Sequence, residues 1–239
     1  NKNIPSNYMN IMEEISLQEK IEKLPLGVAC IDGLTNGGLE AGIITEIFGE
    51  GGSGKSNVCM LAACSALRLG KKVVFIDSEG FSSERFLSIC KADNSKLKVI
   101  RVFSLDDQEV AITKFSKIIE KDASYGLFIL DSFSEFFRLE RTGDNQSRVI
   151  DFQRQLSLLS SIAAKRKIPV LITNQIYQDI ANGDILPFGG YVVDHIMKAI
   201  YRLERLPDGR RKMTVMKHRS VKEGNSVEFR IVQDGISCE

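Results

Sequence analysis

Short apolar runs alternate with longer segments of helical periodicity along most of the chain. Runs of this length with few polar interruptions are typical of strands buried on both faces, and their alternation with helices predicts a mostly parallel sheet. The predicted strands are residues 43–48, 72–77, 97–103, 127–131 and 169–174. The predicted helices, which would cover both faces of the sheet, are residues 57–69, 83–91, 106–121 and 146–166.

The pattern changes near the C-terminus, where strand-like runs follow one another with no helix between them. These runs are residues 199–206, 212–217 and 227–232, and the Pro-Asp-Gly sequence at 207–209 has the composition of a tight turn. Consecutive strands joined by short turns pair antiparallel. The sequence therefore predicts an α/β fold whose twisted, mostly parallel sheet ends in a C-terminal antiparallel extension.

The first residues of the chain have a pattern of their own. Tyr8, Ile11 and Ile15 are spaced as one helical stripe among Glu, Lys and Asn side chains. We predict an amphipathic extension over residues 1–24 and a core domain over residues 25–239. Two interpretations of the extension are equally supported: a helix packed on its own core, or an arm that docks on a partner.

The composition is that of an ordinary globular protein, with 239 residues, 43% of them hydrophobic, and a net charge of +1. The length suffices for one large α/β core, and any nucleic-acid contact has to come from a local patch of charge. No apolar run is long enough to span a bilayer and no signal peptide is visible, so we expect a cytoplasmic protein without a membrane partner. The cysteines lack metal-ligand spacing, and we expect reduced thiols, mostly in the core. They are Cys30, Cys59, Cys64, Cys90 and Cys238.

Residues 49–56 (GEGGSGKS) form a complete G-x-x-x-x-G-K-S phosphate-binding loop between a predicted strand and a predicted helix. Glycines let backbone N–H groups turn inward around phosphate oxygens, and the helix N-terminus adds the positive end of its dipole. We expect Lys55 to reach the β- and γ-phosphates and the Ser56 hydroxyl to ligate Mg²⁺. The predicted phosphate-binding residues are Gly49, Glu50, Gly51, Gly52, Ser53, Gly54, Lys55, Ser56 and Asn57.

Three further polar residues follow the ends of predicted strands. Asp131 ends an apolar strand, which is the pattern of a carboxylate that holds the Mg²⁺ water shell. Glu79 is the candidate general base for an attacking water; the alternative is a loop carboxylate that caps a turn. Gln175 is a candidate sensor, because an amide there can bond a γ-phosphate and lose that bond on hydrolysis.

Six short motifs occur in order along the chain. They are residues 37–56, 77–80, 84–85, 127–131, 173–175 and 187–190. Together they resemble the RecA/RadA recombinase family over residues 25–236. The length and the Lys-His-Arg tract at 217–219 are most similar to the short archaeal paralogues of RadA. The resemblance implies a RecA-like P-loop ATPase core that binds ATP and Mg²⁺ and acts in DNA repair and homologous recombination.

The resemblance also implies individual roles. Arg85 corresponds to an arginine that stacks on adenine, and Pro187 to a cap over a neighbour's nucleotide. His195 corresponds to a histidine that links the γ-phosphate to a DNA loop; the alternative is a structural histidine at a strand start. Lys217 and Arg219, which alternate on a predicted strand, resemble basic residues that act in trans as arginine fingers. Contact with the DNA backbone and a solvated strand end are equally weighted alternatives for this pair.

Two loops correspond to the DNA-facing loops of the family. The first, residues 137–147, is rich in arginine, which suits sequence-tolerant phosphate contact. The second, residues 176–186, contains Asp179 and Asp184 and no Lys or Arg. Because acidic loops bind phosphates poorly, this departure argues against strand exchange. The expected DNA-contact residues are Arg138, Arg141, Arg148 and Tyr177, with Tyr177 stacking on a base.

We expect a DNA repair and recombination protein that binds ATP and single-stranded DNA, hydrolyses ATP weakly and works at the nucleoid. It would assist a RadA-type recombinase or a repair nuclease, and homo-oligomerisation stays open. One alternative is an authentic recombinase that forms ATP-dependent filaments. Another is an ATP-gated protein-interaction module, and the least favoured is a clock-type autokinase on the same fold.

Overall fold

The computed structural model describes residues 15–139, 145–178, 185–187 and 195–238. The helices are α1 (Ala29–Leu34), α2 (Lys55–Arg68), α3 (Ser83–Ile89), α4 (Leu105–Lys121), α5 (Glu135–Leu139) and α6 (Asn145–Arg166). The N-terminal strands are β1 (Lys23–Leu24), β2 (Leu39–Glu40), β3 (Ile44–Gly49), β4 (Lys72–Asp77), β5 (Leu97–Arg101), β6 (Tyr125–Asp131) and β7 (Val170–Asn174). The later strands are β8 (Ile176–Gln178), β9 (Ile185–Pro187), β10 (Ala199–Arg205), β11 (Arg211–His218), β12 (Ser226–Val232) and β13 (Gly235–Cys238).

Nine of these strands form one sheet in the order β13-β12-β11-β10-β3-β7-β6-β4-β5. Strands β10, β3, β7, β6, β4 and β5 run parallel, whereas β11, β12 and β13 add antiparallel ladders beyond β10. The predicted α/β fold with an antiparallel C-terminal extension is therefore confirmed. The carboxyl ends of the parallel strands meet at one edge, which is where α/β proteins place their ligand sites.

The sheet is packed on both faces, which explains why its central strands are apolar throughout. Adjacent residues such as Ile47 and Phe48 point to opposite faces, and each enters a different core. One core lies under α2 and α3, and the other lies under α4 and α6. Among the described residues, no helix is both long and apolar enough to cross a membrane.

The start of the chain is more closely attached to the core than its polar composition suggests. Strand β1 pairs antiparallel with β2, and Leu24 is part of the core. Glu19 Oε1 accepts a hydrogen bond from Lys167 Nζ at 2.6 Å. Residues 15–22 contain no helix, and residues 1–14, which hold most of the predicted stripe, lie outside the described part. The division into an extension and a core domain stays a prediction.

The cysteines contradict the expectation of reduced thiols. Cys30 is bonded to Cys238, and Cys64 to Cys90, with Cα atoms 5.8 and 5.6 Å apart. These separations lie within the range that a disulfide bridges. Cys59 remains a thiol, and its burial raises its pKa. The expectation rested on the rarity of cytosolic disulfides, and local sequence does not show that the fold brings these pairs of cysteines together.

We predict that each disulfide stabilises the fold, because it restricts the unfolded chain. The bridges close loops of 208 and 26 residues, for which chain entropy gives about 5 and about 3.5 kcal/mol respectively. The Cys30→Ser/Cys238→Ser and Cys64→Ala/Cys90→Ala double variants should each unfold at a lower denaturant concentration than the parent. The measurement is equilibrium unfolding with and without a reducing agent.

The Cys59→Ala variant is the matched control, because this cysteine is buried but unbridged. It should keep the parent's sensitivity to reduction, whereas each double variant should lose part of it. A parent whose unfolding midpoint does not change on full reduction would contradict the prediction.

Candidate nucleotide site

The phosphate-binding loop joins β3 to α2, and two of its glycines are required, Gly49 by the backbone of a neighbouring strand and Gly54 by its positive φ. A Cβ at Gly49 would lie 2.2 Å from the Leu203 carbonyl oxygen on β10. Gly54 has φ +108°, and a Cβ there would lie 2.7 Å from Ile231 on β12. The sequence motif therefore reflects close packing against the antiparallel extension as well as the conformation of the loop.

Lys55 is the first residue of α2 and is almost fully buried. Its Nζ donates hydrogen bonds to the carbonyl oxygens of Gly49 at 2.8 Å and Glu50 at 2.9 Å. The ammonium group thus lies against the first two residues of the loop. A cleft of about 220 Å³ beside it is lined by six residues of the loop and the start of α2, together with Glu79, Arg211 and Ile231.

The two residues predicted to hold Mg²⁺ are in direct contact. Ser56 Oγ donates to Asp131 Oδ2 at 2.6 Å, and Thr173 Oγ1 donates to Oδ1 at 2.6 Å. Burial raises the pKa of Asp131 to about 6, although these two hydrogen bonds lower it. A hydroxyl beside a buried carboxylate offers the oxygen ligands that Mg²⁺ prefers. These residues therefore fit a Mg²⁺ ion, which Ser56 and Asp131 would hold.

Asp77, the last residue of β4, fixes the loop that carries Glu79. Its Oδ1 accepts from the backbone N–H groups of Glu79 and Gly80, both at 3.0 Å. Its Oδ2 accepts from Phe81 N at 2.7 Å and from Arg101 at 2.8 Å. The sequence analysis gave Asp77 no role of its own, although its position at a strand end before a glycine is typical of a loop-organising carboxylate.

Glu79 and Gln175, which were predicted from different strands, meet beside the cleft. Gln175 Nε2 donates to Glu79 Oε1 at 3.1 Å, and Gln175 N donates to Ser134 Oγ at 3.2 Å. Glu79 is exposed, so its carboxylate can reach a water at the mouth of the cleft. The structure thus brings the candidate base and the candidate sensor into contact, while their roles stay predictions.

Arg211 is a site residue that the sequence analysis missed. Its Nε donates to the Ser53 carbonyl at 3.0 Å, and its Nη2 donates to the Gly52 carbonyl at 3.1 Å. Arg210 and Arg211 together resemble an ordinary basic turn, so composition alone does not separate them. Strand alternation could have done so, because it places Arg211 on the same face as the buried Met213.

Arg85 lies close to the start of α2, the helix that follows the phosphate-binding loop. Its Nε donates to Asn57 Oδ1 at 2.9 Å, and its other nitrogens donate to the carbonyls of Val232 at 2.9 Å and Gln233 at 2.6 Å. These bonds lie in the plane of the guanidinium and hold its orientation, so its faces can stack on a planar ring. Adenine stacking by Arg85 stays a prediction.

The described residues among the predicted DNA-contact and cap residues lie on helices α5 and α6 and on the β8–β9 pair. Arg138 is in α5 and Arg148 is in α6, whereas Arg141 lies outside the described residues. Tyr177 in β8 and Pro187 in β9 belong to an antiparallel pair in which Tyr177 lies opposite Leu186. The second loop is therefore entered and left through paired strands, an arrangement that its sequence did not predict.

The segment predicted to face DNA first along the chain begins later than predicted, because Phe137 is a core residue. Its side chain is 2% exposed, and its ring centroid lies 5.4 Å from that of Phe133 and 4.9 Å from that of Phe152. The assignment of Phe137 to the loop is therefore wrong. The prediction overlooked that an aromatic triad at this spacing buries a large apolar area.

In the basic tract near the C-terminus, Arg219 is bonded to Glu40, a buried carboxylate of the same chain. Arg219 lies one residue beyond β11, so the prediction that it alternates with Lys217 within a strand is wrong. Its Nε and Nη2 donate to Glu40 Oε1 at 3.0 and 2.6 Å, and the Glu40 side chain is 1% exposed. A buried carboxylate needs such a partner. The role of Lys217 and Arg219 toward a neighbour's nucleotide stays a prediction.

His195 is exposed and lies shortly before β10. Its predicted link to the γ-phosphate also stays a prediction.

His218 completes the cluster of Arg219 and Glu40 in a defined protonation state. Its Nδ1 accepts from the N–H groups of Ser220 at 3.0 Å and Val221 at 3.1 Å, so Nδ1 carries no proton. Its Nε2 lies 4.0 Å from Glu40 Oε2. Burial lowers the pKa of His218, the charges of Lys23 and Arg219 lower it further, and Glu40 opposes them. The folded protein therefore favours a neutral imidazole.

A model of the Rad51 family matches residues 18–239, so this chain belongs to the Rad51 family. Members of the Rad51/RecA family are in general ATPases that use ATP with Mg²⁺. The resemblance that the sequence motifs carry is thereby confirmed, as is the RecA-like fold.

Individual relatives narrow the assignment within that family. The chain is 66% identical over 228 residues to the DNA repair and recombination protein RadB of Thermoplasma acidophilum, which covers 95% of this chain and 100% of that one. It is 39% identical to RadB of Methanococcoides burtonii over 86% of this chain and 93% of that one. A crystal structure of the RadB recombinase matches with a TM-score of 0.77 and 27% identity over 90% of this chain and 99% of that one. The predicted likeness to the short archaeal RadA paralogues is confirmed.

We predict that His218 makes the protein less stable in mild acid. Because its pKa is lowered on folding, the unfolded chain binds a proton below about pH 6.5 that the folded chain excludes. Its stabilising contribution is complete above that pH and falls as the pH decreases, by at most about 1.4 kcal/mol per pH unit. The His218→Asn variant, whose amide oxygen can accept the same N–H groups, should show a flatter profile of unfolding free energy against pH.

The His195→Asn variant is the control, because it removes the other histidine of the chain from an exposed position. Its profile should follow that of the parent. Parallel profiles for the parent and His218→Asn between pH 7.5 and 5 would refute the prediction.

Proposed function

We propose that this protein is an ATP- and DNA-binding accessory factor of DNA repair and homologous recombination that hydrolyses ATP slowly. The observation that carries the proposal is the contact between Glu79 and Gln175 at 3.1 Å beside the phosphate loop. It joins a candidate catalytic carboxylate to the residue that leads directly into the β8–β9 pair. The names of the relatives, which are DNA repair and recombination proteins, support the biological role.

Each part of the site has a distinct task in the proposed ATP reaction. The N–H groups of the loop and the Lys55 ammonium bind the triphosphate, in exchange for the carbonyl contacts that Lys55 makes within the loop. Ser56 and Asp131 would hold Mg²⁺, which supplies positive charge next to the phosphate oxygens. Glu79 orients the attacking water and accepts its proton at the carboxylate.

Gln175 connects the nucleotide to the segment that resembles a DNA-facing loop. It follows β7 directly and precedes β8, and its backbone N–H is bonded to Ser134, which comes just before α5. Both predicted DNA segments therefore begin within a few residues of this one contact. A change in the hydrogen bond between Gln175 and Glu79 can be passed to both segments through a short path.

Two features support an accessory role rather than strand exchange. The second loop carries Asp179 and Asp184 and no basic residue, which disfavours a second phosphate contact. Arg219, the candidate finger, is bonded to Glu40 of its own chain, so offering it to a neighbour would leave a buried carboxylate unpaired. A RadA-type recombinase or a repair nuclease at the nucleoid is the proposed partner, and self-association is a further proposal.

We predict that ATP hydrolysis by the purified protein is slow and changes little when single-stranded DNA is added. Glu79→Gln should lower the turnover rate by about 100-fold or more and spare ATP binding, because it removes a general base and keeps the shape of the side chain. Lys55→Ala should weaken both, because it removes a charge that contacts the phosphates. The measurements are steady-state hydrolysis and calorimetric ATP titration on each variant.

Comparison of the parent, Glu79→Gln and Lys55→Ala distinguishes the accessory ATPase from the interaction module and the recombinase. Equal hydrolysis by Glu79→Gln and the parent would refute the base assignment and favour an ATP-gated interaction module. Strong stimulation of the parent by DNA would refute the accessory role and favour a recombinase.

We predict that the arginines at the first loop contact DNA phosphates. The Arg138→Ala/Arg141→Ala variant should bind single-stranded DNA more weakly at every sequence, and its dependence on salt should fall by about 0.7 in log–log slope per lost contact. Fluorescence anisotropy over a series of salt concentrations measures both quantities.

Arg154→Ala is the matched control, since it removes one arginine from α6 that is ion-paired with Glu109 at 2.7 Å. If the double variant and this control bind DNA with the same affinity and slope, the loop assignment fails.

A further inference from the structure

The carbonyl groups of the phosphate loop are held by two different cations. A loop that turns its N–H groups toward phosphate must turn its carbonyls away, and those carbonyls need donors of their own. Lys55 donates to the Gly49 and Glu50 carbonyls, contacts that it would exchange for phosphate oxygens on binding a nucleotide. Arg211 donates to the Gly52 and Ser53 carbonyls. The second half of the loop therefore depends on a residue more than 150 positions away in the sequence.

Arg211 is held in register with the strand from which the loop emerges. It is the first residue of β11, where it lies opposite Arg205 of β10. Strand β10 in turn pairs with β3, so that Leu203 lies beside Gly49. Arg211 Nη1 also donates to the Gly209 carbonyl, which fixes the third nitrogen of the group. The guanidinium is thus a rigid connection between the β10–β11 hairpin and the loop.

Arg211 keeps its contacts with the loop although a like charge lies opposite it. Two like charges directly opposite each other on neighbouring strands cost stability, and burial, together with the charge of Arg205, lowers the pKa of Arg211. Arg211 nevertheless lines the cleft beside Glu79 and the loop glycines. An anion bound in that cleft would interact favourably with the Arg211 guanidinium.

We propose that Arg211 is a positioning residue for the nucleotide phosphates. It orients the Gly52 and Ser53 peptide groups so that the loop is arranged for phosphate before the nucleotide arrives, and it links the β10–β11 hairpin to nucleotide affinity. The planar fork of arginine spans both carbonyls, which the single ammonium of lysine cannot do. This proposal rests on the proposed binding of ATP at the same loop.

The effect should fall on phosphate binding and not on the fold. Loss of one charged hydrogen bond corresponds to about a tenfold change in affinity, so Arg211→Gln should weaken ATP binding by at least about that factor. Inorganic tripolyphosphate, which has no base, should be weakened by the same factor when it competes with a fluorescent ATP analogue. Arg211→Lys should recover only part of the loss, since it restores the charge without the fork.

The experiment compares the parent, Arg211→Gln, Arg211→Lys and Arg205→Gln, each titrated with ATP and tripolyphosphate and each checked by thermal unfolding. Arg205→Gln is the matched control: it removes the opposing charge and leaves the loop contacts intact. The proposal is supported if Arg211→Gln loses affinity for both ligands while Arg205→Gln loses clearly less. It is overturned if the two variants lose equally, or if Arg211→Lys binds as the parent does, because charge alone would then account for the effect.

A different set of results would refute the proposed function itself. In that case the parent itself does not bind ATP, or Lys55→Ala binds it as well as the parent does, and the role of Arg211 falls with it. If Arg211→Gln unfolds, Arg211→Lys still decides the question, because it keeps the positive charge at this position.

Discussion

The site is organised by one buried carboxylate, Asp131, at the end of a central strand. An ionised carboxylate is costly in such a place, and the fold offsets the cost with hydroxyl donors from two other elements, Ser56 of α2 and Thr173 of β7. The two hydrogen bonds fix the phosphate-loop helix relative to the sheet. The raised pKa of Asp131 shows that burial still outweighs them. A bound cation would favour the ionised form that burial disfavours, so this position suits a carboxylate that faces a metal ion.

A second set of hydrogen bonds joins the ends of the strands on either side of Asp131. Ser78 Oγ donates to the Ser132 carbonyl at 2.8 Å and accepts from Ser132 N at 2.9 Å, which connects β4 to β6. Ser134 accepts from the backbone of Gln175, which connects the segment after β6 to the end of β7. The loop of Glu79 and the loop of Gln175 are therefore parts of one network, and coupling between them has a continuous physical path.

Much of this arrangement follows from local sequence. Strands buried on both faces appear as apolar runs, so the parallel sheet and the edge at which Asp131, Glu79 and Gln175 meet could be predicted from periodicity and strand ends. Contacts between distant parts of the chain could not. The Cys30–Cys238 bridge, the bond from Arg219 to Glu40 and the bond from Arg211 to Ser53 join residues whose separation no local pattern encodes. Strand β13 escaped prediction because it is short and ends in Ser-Cys, which carries little apolar periodicity.

Several long-range contacts join the antiparallel extension to the nucleotide site. Ile231 of β12 packs against Gly54, Val232 accepts from Arg85, and Arg211 of β11 holds the loop carbonyls. The loop is therefore held by residues of the extension as well as by Lys55 of α2. Binding of a ligand to the folded loop stabilises every element that the loop requires, by linkage. Nucleotide binding should then stabilise the C-terminal strands as well as the parallel core, because the loop cannot keep its shape without them.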